Sequence, residues 1–269
     1  MIIPTAQPFL LPGQPDQPAC LLIHGFTSAP KEMRWMGEYL NQQGFTCLGV
    51  RLAGHATRPE DMIRSRYTDW IASVEDGYNL LRGLSDNIFL VGLSMGGVLS
   101  LLMSTRLEVQ GVVAMSTLNQ LPVDYPAWAM KLLSKVMPYN AKSDEDSGSG
   151  WFDQDAYAGH VSYPKNPVRS AAELKALLNE LNTTLPKVSV PVLLIHSKDD
   201  AYVSPENMPR IYARLGTQDK EMLWVTGSGH VVTRDAAREQ VFAAASAFIR
   251  RIQNGTRIAK HADVSRAEI

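Results

Sequence analysis

Ile88-Phe89-Leu90-Val91-Gly92-Leu93-Ser94-Met95-Gly96-Gly97 decides how this chain of 269 residues is read. The run Ile88–Leu93 is apolar on both alternating faces, as expected of a strand buried in a parallel sheet rather than one with a solvated side. Gly92 to Gly96 fits the pattern G-x-S-x-G. The spacing has a steric cause: the serine must occupy a sharp turn between strand and helix, and side chains at the flanking glycines would collide with those elements. A plain glycine-serine turn would carry the same letters. The apolar strand before the pattern, and a helix-competent segment to about Leu107 after it, give the chemical reading its weight.

Outward from this centre the same rhythm repeats. Ala19 to His24 reads as a buried strand ending at Gly25. Pro30 opens a helical pattern with Met33, Met36 and Leu40 on one face and Gly44 at its end. Phe45 to Val50 is the next strand, and the Gly- and Pro-containing stretch Arg51 to Asp61 is a loop. Thr68 is placed to cap a helix whose face holds Ile71, Val74, Tyr78 and Leu81. Further strands are expected over Gly111–Met115, Pro191–His196 and Met222–Val225, with helices over Pro205–Leu215 and Asp235–Arg251. Strands alternating with helices predict an α/β fold with a mostly parallel sheet flanked by helices.

The rhythm breaks between Ser116 and Lys187, where no convincing strand stands out. Two helical patterns do, over Ala127–Met137 and Ala171–Leu181, separated by the polar turn 143–150. A structureless loop of that length is improbable in a compact domain. The reading is therefore a core of residues 1–117 and 186–255, a helical cap over 118–185 and a flexible tail over 256–269; a solvated surface excursion is the alternative for the cap. The cap leaves and returns at strand ends next to Ser94, so Met130, Leu133, Leu174 and Leu178 are expected to line a pocket for substrate.

Composition narrows the function classes. Hydrophobic residues make up 45% and charged residues 20% of the chain, which excludes a disordered polyampholyte. The net charge of -1 gives no basic footprint for nucleic acid. No run reaches the ~18 apolar residues of a membrane span, and the Pro-rich stretch Met1–Pro18 lacks the basic start of a signal peptide. A cytoplasmic protein, monomer or homodimer, without stable membrane insertion is expected. Cys20 and Cys47 lie in apolar runs and have no metal-ligand spacing, so they read as buried thiols and no metal site is expected.

A serine hydroxyl needs a base to become a nucleophile. Of the six histidines, His24, His55, His160, His196 and His261 have structural readings: strand ends, a Gly-His turn, the cap and the tail. His230 stands apart in Gly227-Ser228-Gly229-His230, between the last strand and the last helix. An acid should orient its imidazole. Asp199 and Asp200 both follow the strand Pro191–His196, and local spacing alone gives Asp200 only a slight edge. The chain order of serine, acid and histidine suits this sheet topology. An acyl-transfer site also needs oxyanion donors. The backbone N–H of Met95 is one candidate; that of Phe26, in His24-Gly25-Phe26-Thr27 after the first parallel strand, is the other.

With these residues in view, the chain resembles the α/β-hydrolase superfamily over nearly its whole length. Leu21-Leu22-Ile23-His24-Gly25-Phe26-Thr27, Gly92-Leu93-Ser94-Met95-Gly96-Gly97 and Ser228-Gly229-His230-Val231 look like the bacterial thermostable carboxylesterase and monoacylglycerol lipase family, including the spacing between them. In that family the acid precedes an x-x-hydrophobic-x-Pro pattern, which fits Asp200, Val203 and Pro205 and so selects Asp200 over Asp199. The resemblance implies an α/β-hydrolase fold with a small helical cap and no cofactor. It also implies a serine esterase with Ser94, His230 and Asp200 as its triad, acting on small-molecule or monoacylglycerol esters. A thioesterase, amidase or C–C hydrolase on the same machinery, or a binding module that has lost the reaction, are the alternatives.

Overall fold

The computed structural model describes residues 1–121, 125–142, 148 and 150–267, with side chains described as far as 255. Seven strands form the main sheet in the order β1-β3-β2-β4-β5-β8-β9. They are β1 (Phe9–Leu11), β2 (Ala19–Ile23), β3 (Thr46–Val50), β4 (Ile88–Leu93), β5 (Gly111–Met115), β8 (Val192–Ser197) and β9 (Lys220–Val225). All neighbours are parallel except β1, which runs antiparallel to β3 at the edge.

Between the strands lie α1 (Arg34–Gln42), α2 (Pro59–Arg64), α3 (Tyr67–Arg82), α4 (Met95–Met103) and α8 (Asn207–Arg214), and α9 (Arg238–Ala267) follows the last strand. Alternation along each strand supplies a core on both faces. Leu21 and Ile23 of β2 and Leu90 of β4 pack with Val74 of α3 and Leu99 of α4. Cys20, Leu22, Phe89 and Val91 pack on the other face with Met36 and Leu40 of α1 and Phe242 and Phe248 of α9. The mostly parallel α/β architecture expected from the sequence is thus present. Among the described residues no helix is long and apolar enough to cross a membrane.

The chain crosses from β2 out to β3 and then back to β4 on the other side of β2, with Ile23 opposite Gly92 in register. Strand order reverses there, and the carboxyl ends of β2 and β4 therefore frame the crevice where such sheets bind ligands. Gly25-Phe26 follows one strand and Ser94 the other.

Several local expectations change. Thr68 lies inside α3; the turn is opened instead by Asp69, whose Oδ2 accepts the Arg66 N–H at 2.8 Å. The loop expected to run to Asp61 gives way to α2 at Pro59, where proline suits a first helical turn. The segment between β5 and β8 holds α5 (Ala127–Leu133), β6 (Tyr139–Ala141), α6 (Gln154–Ala158), β7 (Lys165–Pro167) and α7 (Val168–Thr184). β6 and β7 pair antiparallel as a two-stranded sheet where no strand was expected. Apart from Gly148 and Gly150, the predicted polar turn lies outside the described residues. The last helix, α9, is assigned over Arg238–Ala267.

The two main helices of that segment differ sharply in burial. α5 buries no residue. α7 turns Leu174, Leu177, Leu178 and Leu181 into the same core as α4. Lys131 Nζ on α5 meets the buried Glu173 Oε1 on α7 at 3.1 Å.

Candidate active site

Ser94 sits at the junction of β4 and α4 with φ 56° and ψ −119°. Such a backbone is strained for a residue with a Cβ. The flanking glycines explain how the turn closes. A Cβ on Gly92 would stand 2.1 Å from Gly96 O, and one on Gly96 would stand 2.0 Å from Ile23 O. Both contacts are with backbone that cannot move aside, so the first turn of α4 presses onto β4 and the end of β2. Met95 is the first residue of α4, and its N–H has no acceptor one turn earlier in the helix.

The loop after β2 closes over this turn. A Cβ on Gly25 would stand 3.4 Å from Ser94 Cβ. Three groups fix the loop. Glu32 Oε2 accepts the Gly25 N–H at 2.7 Å. His24 Nε2 accepts the Leu52 N–H at 3.2 Å, which leaves Nδ1 as the donor to Gly25 O at 2.9 Å. The Phe26 ring meets Trp70 edge-on, 6.1 Å between centroids. Burial raises the Glu32 carboxyl above its ordinary value, partly offset by the Gly25 N–H. Burial also keeps His24 and His55 neutral, His55 at about 4. They serve loop structure, as the sequence suggested for His24.

His230 follows β9, partly buried, with its Nδ1 2.8 Å from Asp200 Oδ2. Asp200 lies in the turn after β8 and is 4% exposed. Its Oδ1 accepts the N–H groups of Tyr202 (3.0 Å) and Val203 (2.8 Å). Its Oδ2 takes a second imidazole, His196 Nε2, at 3.0 Å. Burial opposes its charge, but the positive charge of His230 and the hydrogen bonds from His196 and His230 prevail and hold the carboxyl well below the usual range. Asp199 is exposed and points elsewhere, its Oδ2 accepting the Gly227 N–H at 2.7 Å. The structure therefore joins His230 to Asp200, not to Asp199.

Sequence reasoning missed three supporting residues. His196 was read as a strand-end histidine, although its place four residues before Asp200 was a signal. Glu32 carried no local signal. Asp235 is fully buried and takes N–H groups from both sides: Gly229 at 2.5 Å, next to His230, and Phe152 at 3.0 Å and Asp153 at 2.7 Å from the segment before α6. It ties the histidine loop to the chain between β5 and β8.

The four residues expected to line a substrate pocket separate. Met130 and Leu133 lie on α5, half-buried and exposed respectively. Leu174 and Leu178 are 5% and 1% exposed within the core. Leu178→Ala is therefore expected to lower unfolding free energy by about 2–5 kcal/mol, measured by urea unfolding. A loss below about 1 kcal/mol would mean that α7 does not pack as described.

The family model described as serine aminopeptidase, S33, matches residues 14–237. A carboxylesterase of Bacillus subtilis (strain 168) is 29% identical over 244 residues, 90% of this chain and 95% of that protein. The thermostable monoacylglycerol lipase of Bacillus sp. (strain H-257) is 33% identical over 236 residues, 87% of this chain and 90% of that protein. Among solved structures, one from the work on LipS and LipT, two metagenome-derived lipolytic enzymes, superposes with a TM-score of 0.85 at 29% identity, covering 93% of this chain and all of that one. The monoacylglycerol lipase of Paleococcus ferrophilus shares the fold, with a TM-score of 0.76 at 18% identity over 91% of this chain and 98% of its own.

Proposed function

Because the chain belongs to the family described as serine aminopeptidase, S33, and its relatives include a carboxylesterase and a monoacylglycerol lipase, we propose that it is a serine carboxylic-ester hydrolase. Its substrates are esters of short to medium acyl chains, or monoacylglycerols, and it works through an acyl-enzyme on Ser94. The observation that carries this reading is the pairing of the partly buried His230 with the buried Asp200, after β9 and β8, at the same sheet edge as the strained serine turn after β4 that the Gly25-Phe26 loop faces.

Ser94 Oγ attacks the ester carbonyl carbon while His230 Nε2 takes its proton. With Nδ1 bonded to Asp200, the imidazole keeps Nε2 free of a proton at rest, and the ionised carboxylate stabilises the imidazolium that forms. The negative charge on the carbonyl oxygen is met by the N–H groups of Met95 and Phe26. His230 returns the proton to the departing alkoxide and the acyl group stays on Ser94. Water then repeats the sequence: His230 takes its proton, its oxygen attacks the acyl carbon and Ser94 Oγ leaves. The segment 118–185 forms the cap and acyl wall of this reading. On this reading Met130 and Leu133 of α5 would supply the acyl wall, while Leu174 and Leu178 stay in the core.

The family description favours a second reading, hydrolysis of an amide at a peptide N-terminus. Fluorophosphonate labelling, combined with turnover of p-nitrophenyl butyrate against alanine p-nitroanilide, separates the cases. One adduct per chain, lost in Ser94→Ala, with the ester turned over and the anilide not, is expected. Faster turnover of the anilide would favour the peptidase, and absence of any adduct would indicate a binding module.

A further inference from the structure

His196 is a costly residue to keep where it stands. It stands next to the end of β8 with no exposed surface. Its Nε2 lies between two acceptors, Asp200 Oδ2 at 3.0 Å and Val203 O at 3.1 Å. Only an N–H fits between two oxygens that both accept. Its Nδ1 is buried and meets no hydrogen-bond partner among the described residues. An N–H placed there would be stranded, so the ring is the neutral Nε2–H tautomer. An apolar side chain of similar size would fill the space without burying a bare ring nitrogen. The feature an apolar residue lacks is the Nε2–H donor shared by Asp200 Oδ2 and Val203 O.

We propose that His196 is a positioning residue of the proposed triad: its Nε2–H fixes the Asp200 carboxylate and moderates the pull of Oδ2 on His230. This rests on the reading of Asp200 as the triad acid. Oδ1 is already held by the Tyr202 and Val203 N–H groups. Oδ2 is left to two imidazoles, His196 and His230. An oxygen that shares its lone pairs between two donors is a weaker acceptor for each. Without His196, Oδ2 would hold the His230 imidazolium more tightly, and the base would give up its proton less readily to the departing alcohol.

The sign of one measurement separates this from a space-filling role. The acid limb of the pH profile of kcat/KM reports the free-enzyme base. Among the described residues, the other ionisable groups that bear on His230 are Tyr202, whose ring meets it edge-on with 5.0 Å between centroids, Glu32 on the turn before α1, and His160 with Lys31, Lys142 and Arg234 around it; all stay in place. In His196→Leu the acid limb is expected to move up by about half a pH unit, with plateau kcat falling roughly tenfold as the carboxylate loses its anchor. In His196→Gln, whose amide N–H reaches a similar point, both should return towards wild type. An acid limb that stays or moves down in His196→Leu, with no rescue by Gln, would overturn the proposal, because a displaced Asp200 can only weaken its hold on His230. The tautomer can be read without any variant, from long-range 15N–1H spectra of the wild-type protein; His196 protonated on Nδ1 would also overturn it. Asp200→Asn in the same series keeps the two levels apart. Full activity there would sink the triad reading itself. An inactive Asp200→Asn beside an unmoved acid limb in His196→Leu would sink only the role given to His196.

Discussion

Ser94→Ala is expected to lower kcat on p-nitrophenyl butyrate by about 10⁴-fold or more, with the fold intact. The size follows from the mechanism: without the hydroxyl no acyl-enzyme forms, and what remains is water attacking an ester held against the oxyanion donors. The fold should survive because Ser94 makes no side-chain cap to α4, and its strained φ of 56° already includes the cost of a Cβ. Thermal and urea unfolding should therefore differ from wild type by less than about 1 kcal/mol. His230→Ala is expected to fall by a similar factor. Asp200 would keep the His196 bond and two backbone N–H groups, so the loss of one partner should not unfold its turn. The double variant sharpens the test. Groups acting as one unit are not additive, so Ser94→Ala with His230→Ala should cost no more than either alone. A folded single variant retaining more than a tenth of wild-type kcat, or a double variant far below both, would break the assignment.

What could be read from the sequence follows from how local each determinant is. β4 and β5 have the bounds expected, Ile88–Leu93 and Gly111–Met115, because a central parallel strand must be apolar on both faces. β1 escaped notice because Phe9-Leu10-Leu11 is a three-residue edge strand between prolines, held by pairing with β3. β6 and β7 are as short, and β7 includes Pro167. The leucines of α7 announced an amphipathic helix but not its partner; periodicity gives a face, not the surface that covers it. In the site, the G-x-S-x-G turn was legible because its sterics are confined to neighbouring residues. The four-residue spacing of His196 and Asp200 was also local, yet it acquires meaning only when the turn at Ser197–Asp200 folds the carboxylate back over the strand end. Glu32 acts on the backbone N–H of Gly25 in the preceding loop, and Asp235 on those of Phe152 and Asp153, far away in sequence. No side-chain pattern marks such an acceptor.

Asp200→Asn is expected to lower kcat by about 10³–10⁴-fold, and Asp199→Asn by less than about tenfold. The difference lies in what each oxygen meets. At Asp200 an asparagine must find a place for its NH2 group. The Oδ1 side faces the N–H groups of Tyr202 and Val203, which cannot become acceptors. The NH2 is therefore forced to the Oδ2 side, towards His230 Nδ1 and His196 Nε2. His230 can accept that hydrogen bond only by moving its proton to Nε2, the nitrogen that must take the proton of Ser94. The same flip would ask His196 to protonate Nδ1, which is buried without a hydrogen-bond partner among the described residues. One isosteric change thus blocks the base and disturbs its neighbour, with almost no change of volume. At Asp199 the carboxylate is exposed and accepts a single N–H, from Gly227. An asparagine oxygen can accept it as well, with its NH2 in water. Both variants are measured by kcat on p-nitrophenyl butyrate, alongside the tautomer of His230 from 15N–1H spectra. A large loss in Asp199→Asn with Asp200→Asn near wild type would move the acid to Asp199. Loss in Asp200→Asn with His230 still protonated on Nδ1 would mean that the carboxylate acts by charge alone and does not set the tautomer.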